Sequence, residues 1–210
     1  MSESLKKLNA AFEKINKMYE GGTIGMLGSM PNQDIQRITS GSITLDIALG
    51  GGYPRGRIIE VFGPESCGKT TLAIHAMAEV QKNGGVAGII DMEQAFDREY
   101  ARALGVDVDK LVFTQPETGE EVWEILQILV DTNEIDLLVV DSIAAMVPKR
   151  EYEGEVGDAV IGLQAKMMAQ GLRMATGRIK RSNCTVIFIN QLRDNVGVTY
   201  GPSEITPGGK

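Results

Sequence analysis

Histidine and cysteine are scarce in this 210-residue chain, which contains one histidine, His75, and two cysteines, Cys67 and Cys184. No second histidine or cysteine stands at a metal-ligand spacing from His75, which argues against a zinc site of the His/Cys kind. A Ser-His-Asp triad would have to use His75, and that residue falls inside a predicted helix behind a glycine-rich loop. Two cysteines are too few for a disulfide framework, so we expect both thiols to be reduced.

Long apolar runs are also missing. No stretch approaches the length needed to cross a bilayer, and no apolar run follows the opening MSESLKK. We therefore expect neither a signal peptide nor a membrane segment, and a cytoplasmic location. The net charge of −7 and the pI of about 4.9 argue against coating of nucleic acid by bulk positive charge, although a local basic patch would escape that argument. With 43% hydrophobic residues, the chain is typical of a globular protein.

Short apolar runs alternate with helical patterns in the second and later quarters of the chain. This alternation predicts an α/β fold in which a buried parallel sheet carries helices on both faces. The polar residues that follow the runs should meet at one edge of the sheet, where such folds bind ligands. The predicted strands are residues 58–62, 86–90, 111–114, 137–140 and 185–189, and the polar residues behind them are Gly63, Asp91 with Glu93, Asp141, Asn190 and Gln191.

Two helices are indicated by their periodicity. Thr118 and Glu121 form a capping-box pattern, and the apolar face behind it is Val122, Ile125, Leu126, Leu129 and Val130. At the N-terminus an amphipathic stripe predicts a helix that Gly21 and Gly22 end. That stripe fits either packing on its own domain or docking on another subunit, and the pattern does not decide between them. Its members are Leu5, Leu8, Phe12, Ile15 and Tyr19.

A phosphate-binding loop is the most specific motif. Residues 63–70 fit G-x-x-x-x-G-K-[ST] and stand between a predicted strand and a predicted helix, which is the context the motif requires. Glycine lets the backbone N–H groups turn inward toward a triphosphate, and the helix N-terminus adds its positive dipole end. The residues of the loop are Gly63, Pro64, Glu65, Ser66, Cys67, Gly68, Lys69 and Thr70.

Each functional group of this predicted site has a distinct role. Lys69 can reach the β- and γ-phosphates, while the Thr70 hydroxyl and the strand-end carboxylate of Asp141 can hold Mg²⁺. Glu93 is a candidate to orient or deprotonate the attacking water. Gln191 is a candidate to sense the γ-phosphate through its amide. The prediction is an ATPase that uses ATP and Mg²⁺.

A basic run departs from the acidic average of the chain. Between residues 163 and 182 there are five basic residues and no acidic one. This run fits contact with DNA phosphates, and a solvated helix face is the alternative. Arg193, further along, is another candidate for a phosphate contact. The five basic residues are Lys166, Arg173, Arg178, Lys180 and Arg181.

Four segments resemble the bacterial RecA recombinase family. They are ITSGSITLDIALGGGYPRGRIIEVFGPESCGKTTL, DMEQAFDREYARALGVD, VVDSIAAMVPKREYEGEVGD and VIFINQLR. The resemblance spans essentially the whole chain. It implies a RecA-like P-loop ATPase core that forms helical filaments on single-stranded DNA and exchanges strands with double-stranded DNA, with roles in recombination, DNA repair and the SOS response to DNA damage.

The resemblance also assigns residues. It implies that Glu93 is the catalytic glutamate and Gln191 the ATP-sensing glutamine, and that Asp97 and Tyr100 contact the adenine. It places Thr71 at the nucleotide and DNA-binding loops at residues 151–162 and 192–206. It favours an N-terminal arm, residues 1–33, that packs on an adjacent subunit, followed by the ATPase core, residues 34–210. The implied DNA contacts are Lys166, Arg173, Arg193 and Tyr200.

By the same resemblance, the chain stops before the remaining core strands and the C-terminal domain. We expect a fragment of a longer protein whose strand 58–62 has an open edge, and we expect ATP binding to survive better than cooperative, DNA-stimulated hydrolysis. A related P-loop ATPase of the helicase or clock type is the alternative enzyme, which the DMEQAFD and EYEGEVGD segments argue against. The non-enzymatic alternative is a module that blocks the filaments of complete subunits.

Overall fold

A computed structural model describes residues 3–19, 24–29, 35–155, 162–194 and 204–208. Contacts within the chain divide it into two compact units, Met1–Ile35 and Gln36–Lys210. In the first unit, helix α1 covers Glu3–Met18 and a 3-10 turn covers Leu27–Ser29. The predicted N-terminal helix is therefore confirmed as a helix; Gly21 and Gly22, the predicted end, lie outside the described residues.

The second unit is built on a parallel sheet. In chain order the strands are β1 (Arg37–Ile38), β2 (Tyr53–Pro54), β3 (Ile58–Gly63), β4 (Ala87–Asp91), β5 (Val112–Thr114), β6 (Leu137–Asp141), β7 (Thr185–Gln191), β8 (Arg193–Asp194) and β9 (Glu204–Ile205). Strands β3 to β7 form one sheet in the order β3-β7-β6-β4-β5, and every adjacent pair is parallel. The pairs β1–β2 and β8–β9 are antiparallel.

Helices connect and cover these strands. They are α2 (Ile43–Ala48), α3 (Lys69–Lys82), α4 (Arg98–Ala103), α5 (Gly119–Asp131), α6 (Lys149–Tyr152) and α7 (Leu163–Ser182), with a 3-10 turn at Ile143–Ala145. Parallel strands need crossover connections, and here helices lie between successive core strands: α3 before β4, α4 before β5, α5 before β6, and α6 with α7 before β7. The expected α/β sheet flanked by helices is confirmed.

Successive side chains of each core strand point to opposite faces of the sheet and so supply two hydrophobic layers. One layer joins the sheet to α3 through Ile89, Leu137, Val139, Ile187, Ile74 and Met77. The other joins it to α5 and α7 through Ile90, Leu138, Val140, Phe188, Leu126 and Ile179. All of these side chains are buried, so both faces of the sheet are covered.

The close contact between α5 and α7 depends on a glycine. A Cβ at Gly171 of α7 would lie 2.1 Å from the ring of Trp123 on α5. No side chain fits at that distance, so the indole packs directly on the helix backbone. The same indole contacts the Phe188 ring at a centroid distance of 5.5 Å, which ties the helix pair to β7.

The structure moves the predicted strand ends by one or two residues. Strand β7 continues through Asn190 to Gln191, and β6 and β4 continue to Asp141 and Asp91. The reason is the backbone register: Asp91 pairs with Asp141, and Gly63 pairs with Gln191. Polar residues therefore extend the ladder although the apolar pattern has already stopped.

The predicted capping box is half correct. The Thr118 hydroxyl accepts a hydrogen bond from Glu121 N at 3.3 Å, as expected of an N-cap. The Glu121 carboxylate, however, accepts from Glu117 N at 2.9 Å instead of from Thr118 N. The reciprocal bond of a capping box is thus displaced by one residue toward the N-terminus.

In the five-stranded sheet of the described residues, strand β3 lies at one edge, next to β7. Its Phe62 side chain is 57% exposed. The expected open edge beside β3 is confirmed for the described residues. The chain immediately after β3 enters the phosphate loop, so this edge borders the candidate site.

Candidate nucleotide site at the carboxyl edge of the sheet

The loop of residues 63–70 links β3 to α3 and has the backbone shape of a phosphate cradle. Gly68, the N-cap of α3, has φ of 91°, and Ser66 has φ of 56°. Nothing lies within 4 Å of a Cβ built on Gly68, so glycine is favoured there by its left-handed backbone, not by lack of space. The first turn of α3 contains no acidic residue, so its positive end is not neutralised from within the helix.

The Lys69 ammonium lies over this loop. Its Nζ donates hydrogen bonds to Gly63 O at 3.1 Å and to Pro64 O at 2.6 Å, and it is 3.9 Å from the sulfur of Cys67. A charged phosphate oxygen is a stronger acceptor than these neutral carbonyls. The ammonium is therefore held where it can exchange carbonyl partners for phosphate oxygens.

Thr70 and Asp141, the two predicted metal ligands, are in direct contact. Thr70 Oγ1 donates to Asp141 Oδ2 at 2.7 Å, which links the start of α3 to the end of β6. Burial raises the pKa of Asp141 to about 6; the Thr70 bond opposes that shift, and the carboxylates of Glu93 and Asp91 add to it. A buried anion of this kind is stabilised by a divalent cation. One hydroxyl and one carboxylate are oxygen donors of the type that Mg²⁺ binds alongside phosphates and water.

Glu93 and Gln191 are brought together although they follow different strands. Glu93 Oε1 accepts hydrogen bonds from Gln191 Nε2 at 3.0 Å and from Ser142 Oγ at 2.5 Å. The backbone is fixed as well, because Met92 N and Glu93 N donate to Asp141 O at 2.6 and 3.2 Å. Ser142 was not among the predicted site residues. Its signal in the sequence is weak: a serine directly after a strand-end aspartate.

Asp91 organises the loop that carries Glu93. The buried carboxylate of Asp91 accepts from Phe96 N at 3.1 Å and from Gln115 Nε2 at 3.0 Å, with a longer contact of 3.5 Å from Ala95 N. Gln115, just beyond β5, was likewise not predicted. The bonds from Ala95 N and Phe96 N close the turn between β4 and α4. Glu93 lies within that turn, so its backbone position is fixed by the residues before and after it.

Asp97, Tyr100 and Thr71 surround the outer part of the loop. Thr71 Oγ1 and Tyr100 OH are 3.1 Å apart. Asp97 Oδ1 accepts from Glu99 N and Tyr100 N at 2.9 and 3.0 Å and so caps α4. The geometry gives Asp97 a structural task that the sequence pattern did not indicate: it orients the helix that presents Tyr100. The half-exposed Tyr100 ring therefore lies beside the loop.

Helix α7 carries the whole basic run of residues 163–182. Lys166 and Arg173 are two helical turns apart and both exposed, and Lys180 continues the same stripe opposite the buried residues Met168, Ala175 and Ile179. Arg178 differs, because it forms an ion pair with Asp131 of α5 and thus stabilises the helix pair. The Arg193 side chain and Tyr200 lie outside the described residues, as do residues 156–161 and 195–203.

The described residues contain neither a metal cluster made of protein ligands alone nor a membrane-spanning helix. No group of three or more histidine, cysteine, aspartate or glutamate side chains in them is arranged to hold a metal ion. A site of one threonine and one carboxylate, completed by phosphates, falls below that size. Of the helices in the same residues, none combines the length and apolar character needed to cross a membrane.

Comparison with known proteins places the whole chain in one family. The family model described as the RecA N-terminal domain matches residues 6–210. The chain is 54% identical over 210 residues to Protein RecA of Clostridium acetobutylicum, covering 100% of this chain and 60% of that protein. It is 56% identical over 204 residues to Protein RecA of Enterococcus faecium, covering 97% of this chain and 58% of that protein.

A third relative, Protein RecA of Nostoc punctiforme, is 53% identical over 204 residues, which cover 97% of this chain and 57% of that protein. The chain therefore spans about 60% of the length of the curated relatives it matches. The resemblance drawn from the four sequence segments is confirmed. The chain belongs to the RecA N-terminal domain family.

Proposed function

We propose that this chain is the nucleotide-binding core of an ATP-dependent recombinase, which forms filaments on single-stranded DNA and exchanges strands with double-stranded DNA during recombination and repair. The observation that carries the proposal is the single site formed by the phosphate loop, the Thr70–Asp141 contact and the Glu93–Gln191 contact. The proposal includes a role in the SOS response and a cytoplasmic location, and membership of the family supports both.

The geometry of the site supports a separate role for each of its residues. The backbone of residues 63–68 and the Lys69 ammonium bind the phosphates of ATP, Thr71 and Tyr100 border the base and ribose side, and Asp97 orients Tyr100 through its cap. Thr70 and Asp141 would hold Mg²⁺, which when bound neutralises phosphate charge. Glu93 accepts the proton of the attacking water, and Ser142 holds its carboxylate in place.

Gln191 is proposed to report the state of the nucleotide. Its amide N–H donates to Glu93, and a γ-phosphate oxygen is a charged acceptor that competes for the same donor. Because Gln191 ends β7 and Leu192 follows it, a change in its partner is passed to the segment of residues 192–206. Loss of the γ-phosphate on hydrolysis would reset that segment and release DNA.

DNA and neighbouring subunits are proposed as partners. The exposed stripe of Lys166 and Arg173 suits phosphate contacts, with Arg193 and Tyr200 assigned by family resemblance. On α1, the apolar stripe remains partly exposed, with Leu5 at 38% and Leu8 at 43%. An exposed apolar stripe supports the proposal that residues 1–33 form an arm that docks on another subunit.

The test is ATP binding and turnover with and without single-stranded DNA. This chain should bind ATP, and its counterpart extended to the length of its relatives should hydrolyse ATP faster when single-stranded DNA is added. Lys69→Ala should abolish both ATP binding and DNA-stimulated hydrolysis. Lys110 is an exposed lysine outside the loop, and Lys110→Ala should leave both activities unchanged. Hydrolysis that is indifferent to DNA in the extended chain would contradict the recombinase and favour a general P-loop ATPase.

A further inference from the structure

The segment of residues 192–206, proposed above to respond to nucleotide, is fixed at both ends by hydrogen bonds near the site. At its start, Leu192 N donates to Gly63 O at 3.2 Å, the first residue of the phosphate loop. Beyond its end, Pro207 O accepts from Asn190 Nδ2 at 3.0 Å. Between these ends, β8 and β9 pair with each other, Arg193 with Ile205 and Asp194 with Glu204.

The Asn190 side chain is held by three partners. Its Nδ2 donates to Glu60 Oε1 at 2.8 Å in addition to Pro207 O, and its Oδ1 accepts from Gln191 N at 2.9 Å. The side chain is 1% exposed. A buried amide held on both its donor and acceptor sides has one orientation, so its position follows that of β7.

The return end of the segment, residues 206–208, borders open space. A cavity of 620 Å³ lies beside it, lined on its other walls by Glu60, Met168 and Phe188 among others. On the near side, a Cβ built on Gly208 would lie 3.1 Å from Ile143 and 3.3 Å from Met168. The Asn190–Pro207 bond joins this end directly to the strand that carries Gln191.

We infer that Asn190 is a positioning residue that latches the return end of this segment to β7, the strand that carries Gln191. A change in the hydrogen-bond partner of Gln191 then reaches both ends of the segment through β7. The latch rests on the proposed function, because it requires the segment to bind DNA and Gln191 to sense ATP. It adds a second connection to the one through Leu192. Without it, the return end would be tied to β7 only indirectly, through the pairing of β8 with β9.

Three variants separate the latch from ordinary support of the sheet. Asn190→Asp keeps the acceptor for Gln191 N but removes both donors, and it sets a carboxylate against Glu60 and the Pro207 carbonyl. The double variant Asn190→Asp with Glu60→Gln restores a donor toward residue 190 from residue 60, while Pro207 O stays without its partner. Glu60→Gln alone keeps an acceptor for Asn190 and is the control.

The first measurement is the coupling between ATP and single-stranded DNA, taken as the ratio of DNA dissociation constants without and with a non-hydrolysable ATP analogue at pH 8. A parent coupling of about 10-fold is typical of linked sites. It should fall to within about 2-fold of unity in Asn190→Asp and in the double variant, and stay at the parent value in Glu60→Gln. Reciprocity requires the same loss in the effect of DNA on analogue affinity. Recovery of coupling in the double variant would show ordinary sheet support and overturn the latch.

The second measurement is amide hydrogen exchange of residues 204–208, which needs no DNA. Both variants that carry the Asn190→Asp change should exchange faster there by about 5-fold or more, the effect of losing one hydrogen bond. Unchanged exchange overturns the latch and leaves the proposed function standing. A parent chain that binds the analogue without any coupling to DNA overturns the DNA part of the proposed function and the latch with it.

Discussion

Gln191 Nε2 donates a hydrogen bond to Glu93 Oε1 over 3.0 Å, although the two residues are 98 positions apart in the chain. One carboxylate oxygen of Glu93 thus accepts from both the Gln191 amide and the Ser142 hydroxyl. Any ligand that draws the Gln191 amide away removes one of the two donors from Glu93. The sensing role proposed for Gln191 and the catalytic role proposed for Glu93 therefore meet at a single oxygen.

Replacing Glu93 should separate nucleotide binding from hydrolysis. Glu93→Gln keeps the size of the side chain but removes the base, so turnover should fall by about 100-fold or more while ATP affinity changes little. The control is Glu124→Gln, an exposed carboxylate on α5 away from the site. Turnover is read from phosphate release and affinity from equilibrium binding. A Glu93→Gln protein with parental turnover would exclude Glu93 as the base.

The two cysteines should report nucleotide binding directly. Cys67 is exposed within the phosphate loop, whereas Cys184 is buried, and burial raises the pKa of its thiol to about 12. Because the thiolate is the reactive form, alkylation should modify Cys67 alone in the folded chain. Saturating ATP with Mg²⁺ should slow this modification by about 10-fold or more, measured by mass spectrometry over time.

Lys69→Ala provides the control for that protection. Its Cys67 should react at the same rate with and without ATP, because the variant lacks the ammonium that binds the phosphates. Rapid alkylation of Cys67 in the parent chain at saturating ATP would mean that the nucleotide does not occupy the loop.

The sheet edge was predictable from sequence, and the contacts across it were not. Apolar runs followed by Asp91, Asp141 and Gln191 predict that these residues share an edge, because parallel strands end on the same side. The pattern does not contain the spatial order of the strands. The proximity of Gln191 to Glu93 depends on that order and on the turn that Asp91 closes, so it appears only in the structure.

Supporting residues were harder to predict than reactive ones for a related reason. Ser142 and Gln115 belong to no recognisable motif. Their role depends on the carboxylates to which they donate, Glu93 for Ser142 and Asp91 for Gln115. Arg178 shows the opposite case: it belongs to a basic run that indicates DNA contact, yet it is paired with Asp131. Composition can identify a basic stretch, but the helix periodicity and the neighbouring α5 decide which members stay exposed.

The exposed stripe of α7 should contribute to DNA binding through charge. Arg173→Ala should weaken binding to single-stranded DNA of any sequence and reduce the slope of log affinity against log salt by about 1. Lys166→Ala should act alike. The measurement is fluorescence anisotropy over a salt series. Arg178→Ala is the matched control: it removes an equal charge that is already paired with Asp131, so the slope should hold while thermal stability falls.

An unchanged slope in Arg173→Ala would assign the stripe to solvent exposure, the alternative that the sequence left open. The same salt series applied to Arg193→Ala tests a position outside the described side chains. Its slope should also fall by about 1 if it meets a phosphate as the family resemblance implies.

Asp141 should limit the stability of the chain when no divalent cation is bound. Its pKa of about 6 in the folded chain lies above the ordinary 3.8, so the folded state binds the proton more tightly than the unfolded state does. The resulting cost is absent below about pH 4, grows between pH 4 and 6, and is constant above that range. Asp141→Asn keeps an oxygen that can accept from Thr70 and removes the buried charge.

The Asn variant in EDTA should therefore be more stable than the parent at pH 7.5, by up to about 3 kcal/mol, and the difference should shrink toward zero near pH 4. Denaturant unfolding at both pH values measures this. Added Mg²⁺ and ATP should reverse the order, because they stabilise the parent by binding its carboxylate and cannot do so in the variant. A variant that is less stable than the parent at pH 7.5 in EDTA would show that the charge of Asp141 supports the apo fold, and it would remove the argument that burial of this carboxylate prepares the site for a cation.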